Sequence, residues 1–69
     1  MSKKGTKFLE AAKLSCRAKI EDATARMKLY ISDPHAVADH SNITEEILKA
    51  AEDGAHAQDI LNFLVERCK

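Results

Sequence analysis

The stretch "ISDPHAVADHSNITEE", residues 31–46, decides the fold of this chain. Before it, residues 6–33 hold no Pro and no Gly. Pro34 then forces a break, because its ring pushes the preceding residue out of the α region. After it, Asn42 is a natural N-cap, and Glu45 three residues on completes a box-like arrangement with it. The pattern predicts two helices, at about residues 6–31 and 42–68, with Thr6 capping the first and a connector at 32–41. The whole is an all-α antiparallel two-helix hairpin. Residues 1–5 are expected to form a disordered basic tail, and the 69 residues are one domain.

The same stretch carries His35, Asp39 and His40, which raises the question of a metal site. The two histidines are five apart, not the four that would stack two imidazoles on one helix face. His56 lies nearly four turns along the second helix, too far to join them. The reading preferred is a polar connector: Asp33 caps a turn begun at Pro34, and Ala36 and Val37 fold back over the end of the core. No metal and no cofactor are expected.

Outward from the corner, both flanking segments have helical periodicity. In the first, Leu9, Ala12, Cys16, Ile20, Ala23, Met27 and Tyr30 fall on one stripe, spaced 4-3-4-3 from Cys16 onward. In the second, Ile43, Ile47, Ala50, Gly54, Ala57, Leu61, Leu64 and Cys68 form an unbroken seam of the same kind. Each helix is about 25 residues, so about 37 Å long, and the two match as a hairpin needs. Gly54 sits on the second seam, where a glycine costs about 1 kcal/mol. It is either a point of close backbone approach, facing the small Ala12, Cys16 and Ala23, or a tolerated weak point. In this register Cys68 lies opposite Lys7 and Phe8, and Cys16 lies nearer Ile60, so an internal disulfide is not expected. Tyr30 reads as a core cap with its hydroxyl at the rim.

Apolar residues remain outside the seam. Ala11, Leu14, Ala18, Ala25 and Leu29 fall on the far side of the first helix, and Leu48, Ala55, Ile60 and Phe63 lie off the second seam. Exposed contiguous apolar surface marks an interface. A chain of 69 residues also has a small core and usually needs a staple. With two cysteines and no CxxC, a disulfide framework is not available. The expected staple is a second copy: a homo-oligomer, most simply a dimer forming a four-helix bundle, through Leu14, Ala18, Ala25, Leu29, Leu48, Ile60 and Phe63.

Composition narrows the function classes. Eleven Lys/Arg balance eleven Asp/Glu, but unevenly. Residues 1–34 hold eight cations against four acids, and residues 35–69 hold three against seven. A basic helix beside an acidic one favours pairing, within a chain or between chains. The basic helix also raises the alternative of a small nucleic-acid-associated regulator. Against it stand the acidic helix alongside and the lack of a zinc-finger, helix-turn-helix or base-stacking pattern. Two helices make no pocket deep enough to exclude water, and Cys16 falls on the packing seam, so an enzyme is not expected. The N-terminal charges precede no apolar run, and no stretch approaches a membrane span, so a soluble cytoplasmic protein with free thiols is expected.

Three segments, "AKIEDA" (18–23), "LYISDPHAVADHSNITEEI" (29–47) and the Ala/Glu/Asp-rich second helix, resemble a group of small uncharacterised helical-hairpin proteins of tailed, often marine, bacteriophages. Within it, "ADHSNI" (38–43) matches a "GEHSDI"-like segment of that group. "GAHAQD" (54–59) and the ending "ERCK" depart from it. The resemblance spans residues 18–66. It implies a phage or environmental origin and protein contacts, with a host protein as a partner, and it transfers no functional residue.

Overall fold

The computed structural model describes residues 3–33, 35 and 42–68, which form two helices: α1, Lys3–Ser32, and α2, Ile43–Arg67. α1 starts earlier than the sequence suggests. Residues 3–5, expected in a disordered tail, are helical, and Thr6 lies inside the first turn instead of capping it. Lysine is a good helix former and nothing between residues 3 and 6 blocks a helix. The start is electrostatically poor, because lysines and no acid occupy the positive end of the helix dipole.

At the corner, α1 ends with Asp33 N–H donating to the Leu29 carbonyl at 2.7 Å, joined by Ser32 Oγ at 3.3 Å. Asp33 Oδ1 accepts the His35 N–H at 3.2 Å. That bond, from a side chain to a backbone N–H two residues on, is how Asp holds a turn. The expected folding back of Ala36 and Val37 lies outside the described residues. Asn42 occupies the cap position of α2 but makes no side-chain capping bond, so the box with Glu45 is not formed. With ψ at 29°, its backbone is outside the extended region that aims a capping side chain at the first-turn N–H groups. The α2 dipole is well served, by Glu45 and Glu46 in the first turn and Arg67 in the last. Cys68 N–H donates to the Leu64 carbonyl at 3.0 Å and closes the helix.

The helices run antiparallel, and two contacts fix the register. A Cβ built on Gly54 would lie 3.2 Å from Ala23 Cβ. Three residues up α1 and one down α2, Arg26 Nη2 meets Asp53 Oδ2 at 3.2 Å. The result is a rod with extents of 50 × 15 × 15 Å.

Its core runs along the two seams. Cys16, Ala23, Ala50, Ala57 and Leu61 are buried. Leu9, Ile20, Met27 and Tyr30 on α1 are half-buried around them, as are Ile43, Ile47, Gly54 and Leu64 on α2 and Cys68 at its end. Ala12, placed on the seam by its spacing, is exposed, on the wall of an open groove. Gly54 is at a close approach: the 3.2 Å left for a side chain is tighter than an ordinary carbon contact. Both cysteines are free thiols. Among the described residues, no helix is long and apolar enough to cross a membrane.

Candidate interaction surfaces

A pair of helices has two valleys, one on each side of its seam, and here they differ in chemistry. One is a groove of about 500 Å³ whose middle is ionic: Lys19, Asp22 and Arg26 from α1 face Asp53 and His56 from α2. Arg26 is the hub. Its Nε donates to Asp22 Oδ2 at 3.0 Å, one turn away, and its Nη2 bonds Asp53 across the helices. Asp53 above all, then Asp22, hold the guanidinium's pKa above its ordinary value against a small opposing effect of burial. Arg26 is therefore charged at every pH at which the helices persist. The network is open to water and serves mainly to set register and direction.

The other valley, about 290 Å³, has no charged residue in its lining. Ile20, Thr24 and Met27 form one wall, and Ala51, Ala55 and Gln58 lie on the other, with Gly54 at the base. Its polar side chains are already occupied. Thr24 Oγ1 donates to the Ile20 carbonyl at 2.7 Å, and Gln58 Nε2 donates to Asn62 Oδ1 at 3.1 Å.

The residues expected at an interface are all exposed: Leu14, Ala18, Ala25, Leu29, Leu48, Ile60 and Phe63. They do not make one face. At about 100° per residue, Leu14, Ala18, Ala25 and Leu29 point away from α2, and Leu48 points away from α1. Ile60 lines the charged groove, and Phe63 stands outside it with Arg67 stacked over its ring at 5.6 Å. Phe8, Ile31 and Val65 are exposed too, at 76%, 61% and 44%, and stripe-reading missed them. They fall beside the seams, where a stripe drawn through the seam or its opposite side passes them by.

The other singled-out residues are dispersed. His35 is exposed at the corner and His56 is exposed on α2. Asp39 and His40 lie outside the described residues. Among the described residues, no group of three or more His, Cys, Asp or Glu could hold a metal ion. Cys16 is buried at the base of the charged groove. The cations of α1 are spread round the helix by its period, with Lys13 drawn to Glu10 at 3.5 Å and Arg26 engaged by two acids.

No protein-family model, no curated protein and no solved structure matches the chain.

Proposed function

We propose that this chain is a non-catalytic helical hairpin that self-associates and acts through protein–protein contacts. One observation carries the reading: the imbalance between what the hairpin buries and what it leaves out. Of the five buried apolar residues, Leu61 is the one large aliphatic side chain, and three of the others are alanines. Outside, Phe8, Leu14, Leu29, Ile31, Leu48, Ile60, Phe63 and Val65 are each 40% or more exposed. Fully burying one such side chain is worth about 1.5–3 kcal/mol. A chain below about 70–80 residues rarely obtains more than roughly 3–5 kcal/mol from its own core. A second copy supplies the missing surface.

The test is solution mass by light scattering over a concentration series. The expected result is a multiple of the 7.6 kDa chain at micromolar concentration and above. A folded species of 7.6 kDa at every concentration would refute the proposal.

A further inference from the structure

We infer that a second copy of this chain seats on the uncharged valley, face to face across a two-fold axis. This rests on the self-association proposed above and names the surface that does it. Four observations converge. First, the valley lined by Ile20, Thr24, Met27, Ala51, Ala55 and Gln58 carries no charge, whereas the opposite valley has five ionisable side chains in its middle. Covering the ionic valley would strip water from Arg26, Asp22 and Asp53, a loss that ion pairing often fails to offset. Second, the hydroxyl of Thr24 and the amide of Gln58 already bond within their own helices, so a cover over this valley strands neither. Third, the rod presents a side of 50 by 15 Å, roughly 750 Å², close to the ~800 Å² per partner of a stable interface. An object that fills such a long, narrow side is another rod of the same length. Fourth, the chain is neutral, with eleven cations and eleven acids, so two copies do not repel one another as wholes.

A two-fold contact uses the same patch twice, so a patch of small side chains lies over its own image. Ala51, Gly54 and Ala55 let the two hairpins approach closely there, and the half-buried Ile20 and Met27 fill the space beside them. The four seams then enclose one core, as in a four-helix bundle.

Ala51 and Ala55, both exposed in the single hairpin, give the test. Ala55→Arg places a cation in the middle of the valley, and Ser15→Glu places an acid on the wall of the opposite one. With the second copy seated on the uncharged valley, Ala55→Arg raises the dissociation constant at least 100-fold, so the scattering mass falls to that of a single chain, and Ser15→Glu leaves it unchanged. Because a dissociated hairpin loses stability, a second measurement avoids the introduced charge. Ala51→Cys is alkylated more slowly as protein concentration rises, read at that residue by mass spectrometry, and Ser15→Cys is alkylated at one rate throughout. If the parent oligomer survives Ala55→Arg and Ala51→Cys labels at a constant rate, this surface is wrong while self-association stands. Loss of the oligomer on Phe63→Glu alone would move the interface to the outer flank of α2. A monomeric parent removes both claims.

Discussion

Gly54 offers a test of the packing at atomic scale, because two effects of opposite sign meet there. Replacing a helical glycine by alanine gains about 1 kcal/mol from backbone entropy alone. The new Cβ, however, lies 3.2 Å from Ala23 Cβ. Neither atom can rotate away, since each is fixed to its own helix backbone. An ordinary carbon contact is about 3.5–4.0 Å, so the helices must part by several tenths of an ångström. Parting them loosens the buried Ala50 and Ala57 on either side. Overpacking of this kind costs about 1–3 kcal/mol. Gly54→Ala is therefore expected to be neutral or to destabilise by up to about 2 kcal/mol, despite its better helix propensity. Urea denaturation followed by far-UV circular dichroism, at one fixed protein concentration, measures it. Ala23→Gly restores the space, so the pair is expected to show a favourable coupling of at least about 0.5 kcal/mol in a double-mutant cycle. If Gly54→Ala gains the full ~1 kcal/mol with no coupling, the close approach is wrong and Gly54 is only a weak point in α2.

Other residues give tests of the same kind. Leu61→Ala empties the largest side chain of the core and is expected to cost about 2–5 kcal/mol, enough to unfold the hairpin, as loss of the circular dichroism signal would show. Cys16 is buried and Cys68 half-buried, so a thiol reagent should modify Cys68 first; Cys16→Ser should cost roughly 1–3 kcal/mol by burying a hydroxyl, with Cys68→Ser near neutral. Equal labelling of both thiols in the folded protein would contradict the placement of Cys16. Lys4→Glu puts an acid at the bare positive end of α1 and should stabilise by about 0.3–1 kcal/mol, an effect that fades with added salt. The raised pKa of Arg26 stabilises the fold at every pH below its unfolded value and is lost only in strong alkali, so Arg26→Gln should leave the shape of the stability–pH curve between neutral and mildly alkaline pH unchanged.

Much of the fold was legible because two independent signals agreed. Pro34 fixed where the first helix had to end, and the 4-3 spacing of Cys16, Ile20, Ala23 and Met27 against Ala50, Gly54, Ala57 and Leu61 fixed which sides face. The close approach at Gly54 followed from small residues on facing seams. Capping was less legible, because it depends on a backbone angle: Asn42 has the right side chain in the wrong conformation, and Thr6 was passed over by a helix that had no reason to wait for it. The interface was the hardest to read. A helical wheel ranks residues by distance from a stripe on one helix. A valley is made by two helices at once, so Thr24 and Ala51, inconspicuous on their separate wheels, become neighbours only in the folded pair.

Whether another copy completes the core of this hairpin is decided by the thermal midpoint as a function of protein concentration. If folding and association are coupled, each tenfold increase in concentration adds about 1.4 kcal/mol and raises the midpoint by about 5 °C for two chains of this size. A midpoint that stays constant over two or three decades, for a species whose mass is that of one chain, would contradict it.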